Sequence, residues 1–478
     1  MKISKICKFL CVGLSLLAFI ACDTPSNSNS SVTVVSNPSS TDEIPSADTS
    51  GNTDTDDERA KNEAEEGENS GGDSTDTVDV DLPDDYIRGF DVSAVDYWEK
   101  DYAVANDWAG EKWYDTDGSE KDFYEILAAH GINTARIRVW VDPSADNTSS
   151  IITDSYWPAS TDVENAWRDG DNTTERAIAM AKRAKAAGLK VMLDLHYSDY
   201  WTDPGKQVIP AAWQSVTNAE TMKEKISEYT TNVLTEMKNA EVTPDYVQVG
   251  NEIDSGILLH TKYNSSSGAT AANDTISGKL DGSNFAAYIK AGCDAVREFD
   301  SAIKVILHVT NRKPVSVMQK LTSVTNYDII ALSYYPWESS HGTVESLKNN
   351  IESLKSTYSK PVIIGEISAH WNYTANSYDS DLAMAAAHLI DPDTNMVFSD
   401  IETETVSNNG SNELIVKGSV ENQTAIFRHV IEESVASGAS GIVAWGGERR
   451  ADWKYAFFDW NGKVFSSIDV FNVKSASD

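Results

Sequence analysis

The sequence predicts a (β/α)8 TIM barrel, preceded by a signal/lipobox segment and a disordered acidic linker. Three observations lead there. From Ile87 onward short apolar runs alternate with amphipathic helical stretches, there are eight such runs, and each ends in polar residues. No glycine-rich phosphate loop follows an early strand, which sets aside the open doubly wound sheet.

The expected strands are Arg88–Val92, Thr134–Val141, Lys190–His196, Tyr246–Gly250, Lys304–Leu307, Asp328–Tyr334, Pro361–Glu366 and Gly441–Trp445. Between them, Thr173–Gly188 places Ala177, Met180, Ala181 and Ala184 on one helical face. Ser283–Phe299 has the same period, with Ser283 as expected N-cap. Gly131 and Gly188 follow helical patterns as C-terminal caps.

Ahead of the barrel, Lys2, Lys5 and Lys8 precede the apolar run Phe9–Ile20, a signal-peptide layout too short to span a bilayer. The run ends in Leu17-Ala-Phe-Ile-Ala-Cys22, which resembles a bacterial lipoprotein processing site. Residues 1–22 are therefore expected to be a lipoprotein-type signal, with Cys22 carrying lipid and holding the protein outside the cytoplasm at a membrane. Ordinary secretion is the alternative. Residues 23–85 are rich in Ser, Thr, Asn, Asp, Glu and Gly, and bury too little apolar surface to offset their ordering entropy. The folded catalytic domain is expected over 86–478.

Of the 478 residues, 74 are acidic and 39 basic, a net charge of −35 that repels nucleic acid and favours neutral polymers as partners. Cys293 is the single cysteine outside the amino-terminal segment, so neither an intramolecular disulfide nor a zinc–thiolate site is expected in the barrel. A monomer is expected.

Active sites of such barrels gather at the carboxyl ends of the strands. Those ends supply Asp91, Arg136, Arg138, His196, Asn251, Glu252, His308, Tyr334, Tyr335, Glu366 and Trp445. Glu252 ends strand four and Glu366 ends strand seven, facing each other across the barrel. Hydrolysis of a glycosidic bond needs such a pair, one carboxyl to protonate the leaving oxygen and one to attack or to activate water. A gap of roughly 5–5.5 Å gives retention and a wider one inversion. Asn251 suits a sugar hydroxyl next to the reacting carbon. Arg136 or Arg138 is expected to hold the nucleophile ionised, with Tyr334 adding a hydrogen bond. His196 and His308 lack metal-site spacing and read as hydrogen-bonding groups on the cleft floor or as satisfied core histidines. Trp98, Trp140, Trp201, Trp213, Trp337, Trp371 and Trp445 lie at strand ends or in the following loops, where about half would meet sugar rings. No cofactor is needed for this chemistry. Asp391-Pro-Asp-Thr-Asn395 alternates oxygen side chains, as a structural calcium loop or a plain Asx-rich turn would.

Several strings together resemble glycoside hydrolase family 53, the endo-β-1,4-galactanases. They are Phe90-Asp-Val-Ser93, Thr134-Ala-Arg-Ile-Arg-Val-Trp-Val141, Asp194-Leu-His-Tyr-Ser-Asp199, Asp203-Pro-Gly-Lys-Gln207, Gln248-Val-Gly-Asn-Glu-Ile253, Leu332-Ser-Tyr-Tyr-Pro336 and Phe458-Asp-Trp-Asn-Gly462. The resemblance implies retaining endo-hydrolysis of β-1,4-galactan, with Glu252 as acid/base and Glu366 as nucleophile. Another retaining endo-glycanase of the same clan, or an inactive lipid-anchored glycan-binding protein, are the competing readings. Three loops depart from the family pattern. Glu366-Ile-Ser-Ala-His370 stands for Glu-Thr-Ala-Tyr, Gly256-Ile-Leu-Leu-His260 lacks a tryptophan, and Trp445-Gly-Gly-Glu-Arg449 replaces Glu-Pro-Ala-Trp after the tryptophan. Two long loops, Asp254–Gly282 and Ser368–Glu421, are expected to be flexible and to act as a lid or cleft wall, respectively.

Overall fold

A computed structural model describes residues 82–102, 112–153, 172–264, 266–372, 377–451 and 453–473. The chain divides into two compact units, Met1–Gly71 and Gly72–Asp478, and all described residues fall in the second. The signal segment with Cys22, and the spacer as far as Asp81, lie outside them.

Eight parallel strands close into a barrel in chain order: β1 (Ile87–Asp91), β2 (Thr134–Val139), β3 (Lys190–Leu195), β4 (Tyr246–Val249), β5 (Lys304–Thr310), β6 (Ile329–Ser333), β7 (Val362–Ile367) and β8 (Gly441–Ala444). One main helix follows each of the first seven: α1 (Phe123–Ala129), α2 (Thr174–Ala186), α3 (Ala219–Asn239), α4 (Phe285–Phe299), α5 (Pro314–Gln319), α6 (Val344–Tyr358) and α7 (Val420–Ala436). The fifth strand runs further than its apolar stretch suggested, so His308 lies inside it.

Local chemistry sets the helix limits. The side chains of Thr173, Asn218 and Ser419 accept from backbone N–H groups of the first turns of α2, α3 and α7. Gly131 and Gly188 both hold φ near +84° just past their helices. At Gly131 a Cβ would lie 2.3 Å from the Phe471 carbonyl oxygen, so close packing as well as φ excludes a side chain. Ser283 does not cap α4. Asn284 takes that position, and its amide donates to the Thr275 and Ser277 carbonyls instead of capping the helix.

Strand alternation sorts the side chains into two cores. The larger lies between strands and helices and includes Phe90, Ile137, Val247, Leu307 and Ile364. The smaller consists of Ile87, Met192, Tyr246, Ile306, Ile329, Ala331, Ile363 and Val443, the inward positions low in the barrel. Two residues further along the strands the inward positions turn polar, through Asp194, Gln248 and His308, and Ser333 follows Ala331 in the same way.

One strand breaks the alternation. Ile363 faces inward, and so does Gly365, where a Cβ would sit 2.8 Å from Ala331 Cβ and 3.2 Å from the His308 ring. The pairing of β7 then slips against both neighbours, with Leu332 opposite Ile364 but Ser333 opposite Glu366. Against β8, Ile364 faces Ile442 and Ile367 faces Ala444. This bulge gives β7 one extra residue, so Glu366 also turns to the interior.

The long loops carry their own structure. The one after β4 holds two short antiparallel pairs, Gly256–Ile257 with Gly278–Lys279 and His260–Lys262 with Thr270–Ala271. The one after β7 holds a helix, Ser380–His388, and the hairpin Thr403–Asn408 with Ser411–Val416. In the Asp391–Asn395 stretch, Asp391 accepts from the Asp393 N–H at 2.8 Å and from the Thr394 hydroxyl at 3.0 Å, the bonding of an Asx turn. No group of three metal-ligating side chains occurs among the described residues.

Candidate active site

Arg136, two residues into the inward row of β2, organises the mouth of the barrel. Its guanidinium lies 2.8 Å from Asp91, 2.9 Å from Asp194 and 2.8 Å from Glu366 Oε1, and all four side chains are buried. It also donates to Asn251 Oδ1 at 3.1 Å and Gln248 Oε1 at 3.2 Å. Burial opposes its charge, but the carboxylates of Asp194, Glu366 and Asp91 more than compensate and fix it as a cation. Burial alone would raise the Asp194 carboxyl, but Arg136 and then His196 bring it down to about 2.

Gln248 links the network to the far side. Its amide donates to Asp194 at 2.6 Å and Asn251 at 3.2 Å and meets His308 Nδ1 at 3.1 Å. His308 in turn contacts Ser333 through Nε2 at 2.9 Å. The Thr202 N–H points at His196 Nδ1, 3.1 Å away, so Nδ1 accepts and Nε2–H donates to Asp194 at 2.9 Å. Burial lowers the pKa of both histidines and keeps them neutral. Both are hydrogen-bonded members of a buried polar layer beneath the cleft. Asn251 is held at both ends, its Nδ2 donating to the Thr202 carbonyl at 2.8 Å.

The two glutamates occupy different surroundings. Glu366 receives Arg136 on Oε1 and, on Oε2, the hydroxyl of Tyr335 at 2.5 Å. Burial raises its pKa above the ordinary value, and Arg136 and then Tyr335 oppose that rise. Among the described residues no cation pairs with Glu252. Burial first, and then the charge of Glu366, raise its carboxyl well above the ordinary range, with only a Ser333 hydrogen bond in opposition. Its backbone is left-handed (φ 45°, ψ 59°), a costly conformation for a glutamate. Gln207 bonds the Asn251 carbonyl at 2.9 Å and so braces that turn.

The tyrosine contact corrects the sequence expectation. Tyr334 is fully buried in the core outside the barrel, and its hydroxyl has no partner among the described residues. Alternation from inward Ser333 explains why its neighbour Tyr335 reaches the nucleophile. Tyr335→Phe is therefore expected to lower kcat about ten- to a hundredfold, the scale of a hydrogen bond to a charged group. Tyr334→Phe should leave kcat within about twofold, since it removes a hydroxyl without a partner. Steady-state kinetics of the two variants check this.

The tryptophans divide by burial. Trp98, Trp140 and Trp213 are packed in the cores and present no face to a ligand. Trp201, Trp337, Trp371 and Trp445 are half-buried. Trp445 packs edge-on against Trp201 at 6.2 Å and Tyr335 at 5.9 Å, beside the nucleophile. Arg138 does not join the ion cluster. It is buried, and its guanidinium lies 3.6 Å from the centre of the Trp201 ring.

Asp194, Gln248, Ser333 and Tyr335 are the site residues that motif reading undervalued. The signal was present, since Asp194 is two residues before His196, and Gln248 shares the inward row of β4 with Tyr246.

A family model described as glycosyl hydrolase family 53 matches residues 87–475. The chain belongs to that family. Among curated relatives, an endo-β-1,4-galactanase of Bacillus subtilis is 33% identical over 300 residues, which are 62% of this chain and 59% of that protein. An arabinogalactan endo-β-1,4-galactanase of Thermothelomyces thermophilus is 30% identical over 293 residues, 58% of this chain and 73% of that one. The first alignment thus spans less than two thirds of its relative. A solved family 53 catalytic domain of Ignisphaera aggregans superposes with a TM-score of 0.59 at 26% identity, covering 82% of this chain and 97% of that one. A fungal β-1,4-galactanase structure gives a TM-score of 0.56 at 25% identity, covering 81% and 98%.

Proposed function

We propose that this family 53 hydrolase cleaves β-1,4-galactan internally and with retention of configuration, Glu252 serving as acid/base and Glu366 as nucleophile. The unequal surroundings of the two glutamates carry the reading. Burial together with Glu366 favours a proton on Glu252, and Arg136 and Tyr335 favour a carboxylate at Glu366.

In the first step a Glu366 oxygen attacks the anomeric carbon while Glu252 gives its proton to the departing glycosidic oxygen. The carbon–oxygen bond breaks, and the sugar is left esterified to Glu366. In the second step the Glu252 carboxylate removes a proton from water, whose oxygen attacks the same carbon and releases Glu366. Asn251, fixed at both ends of its amide, is placed to meet the neighbouring sugar hydroxyl. Galactan as the polymer rests on the relatives' activities and on the family strings in this chain.

The test is an assay of new reducing ends on debranched galactan, cellulose, xylan and mannan. Cleavage of galactan alone is expected. Cleavage of another polymer instead would discard the substrate and keep the chemistry.

A further inference from the structure

The turn that presents Glu252 is held from both sides. Glu252 stands in the left-handed region at φ 45° and opens a single 3-10 turn, Ile253–Ser255. A residue other than glycine keeps such a backbone only where its surroundings over-determine it. On the amino side, Gln207 Nε2 donates to the Asn251 carbonyl at 2.9 Å and reaches the Glu252 carbonyl at 3.4 Å. On the carboxyl side, Asp254 reaches the end of β5. Its Oδ2 accepts the Thr310 N–H at 2.9 Å, and its Oδ1 accepts the Thr310 hydroxyl at 2.6 Å. Thr310 is buried, and its hydroxyl oxygen accepts from the Arg312 N–H at 3.3 Å, which leaves the hydroxyl proton for Asp254.

These contacts close a ring around the acid/base. Thr310 pairs with Ser333 across β5 and β6, and Ser333 hydrogen-bonds the Glu252 carboxyl. The carboxyl of Glu252 is thus tied to β6 through Ser333, and its backbone turn to β5 through Asp254, at one level of two adjacent strands. A carboxylate is a costly group for a plain turn. Burial raises the Asp254 carboxyl above its ordinary value, against both Thr310 bonds. What the paired bonds add is direction, because two acceptor oxygens on one residue fix the rotation of the turn as well as its distance from β5.

We propose that Asp254 is a positioning residue for Glu252, its two-bond link to Thr310 holding the acid/base carboxyl where it meets the glycosidic oxygen. This rests on the reading of Glu252 as acid/base. Asp254 acts through Glu252, so its loss slows the steps in which Glu252 moves a proton. Transfer of the sugar to Glu366 from an activated leaving group is not such a step.

Three variants carry the test, on whichever polymer the wild type cleaves and on a dinitrophenyl β-1,4-galactobioside. Asp254→Ala removes both bonds and is expected to lower kcat on the polymer about ten- to a hundredfold, with KM within about twofold, the scale of a misplaced catalytic group. In the same variant the first release of dinitrophenolate, followed by stopped flow, should stay within about twofold of wild type. Asp254→Asn can accept the Thr310 N–H and donate to the Thr310 hydroxyl oxygen, and should restore most of kcat. Thr310→Val removes one bond of the two and should cost about three- to tenfold. It still tests the link if Asp254→Ala fails to fold. Polymer and dinitrophenolate rates that fall together would make the contact structural only and overturn the proposal. Polymer kinetics equal to wild type in Asp254→Ala and Thr310→Val would overturn it too. A Glu252→Gln enzyme that cleaves the polymer at the wild-type rate would overturn the acid/base assignment and the proposal with it.

Discussion

Glu366→Gln is expected to abolish hydrolysis, lowering kcat on the order of 10⁴-fold or more, because the amide cannot form the glycosyl ester. Glu252→Gln should lower kcat on the polymer about 10²- to 10⁴-fold, the range of general acid–base catalysis. The two variants differ once the leaving group is activated. A dinitrophenyl glycoside departs without protonation, so Glu252→Gln should form the glycosyl–enzyme at near the normal rate and stall at its hydrolysis. Glu366→Gln should form none. A pre-steady-state burst of dinitrophenolate in the first variant and its absence in the second would establish the assignment.

Arg136→Met is expected to destabilise the fold by about 3–5 kcal/mol at neutral pH, since it leaves buried carboxylates without their counter-ion. The pH dependence has a definite sign. Asp194 is held below its ordinary value, at about 2, so in the wild type its contribution is fully present above about pH 4 and lost as pH falls toward 2. Without Arg136 the Asp194 carboxyl rises above its unfolded value and that of Glu366, already raised by burial, rises further, so both take up protons on acidification. The variant should therefore gain stability as pH falls from 7 toward 4, and its deficit against the wild type should shrink. Urea unfolding at several pH values reads both effects. A deficit that stayed constant would mean the ion cluster does not control the stability of the mouth.

The barrel was legible because its strands are short apolar runs and its helices keep a strict period. The polar strand ends were legible for the same reason, since alternation carries Asp91, Arg136 and His196 inward once the strands are placed. Two things escaped that logic. At β7, Gly365 and Glu366 both face the interior, and a bulge cannot be read from a string of six residues whose alternation looks regular. At Tyr334 and Tyr335, two adjacent identical residues differ only in which side of β6 they take, and the pairing with its neighbours decides that. The loops were least legible. The Ser/Gly/Asn-rich composition after β4 gave no sign of the short antiparallel pairs that form there, where a Cβ on Gly256, at φ +115°, would lie 2.1 Å from the Gly278 carbonyl oxygen.

The most direct test of the double displacement is mass spectrometry of Glu252→Ala quenched during reaction with a dinitrophenyl β-1,4-galactobioside. A mass increase of one galactobiosyl unit on the peptide bearing Glu366 is the predicted result. A product of inverted anomeric configuration with no adduct, or an adduct on any other residue, would contradict the mechanism.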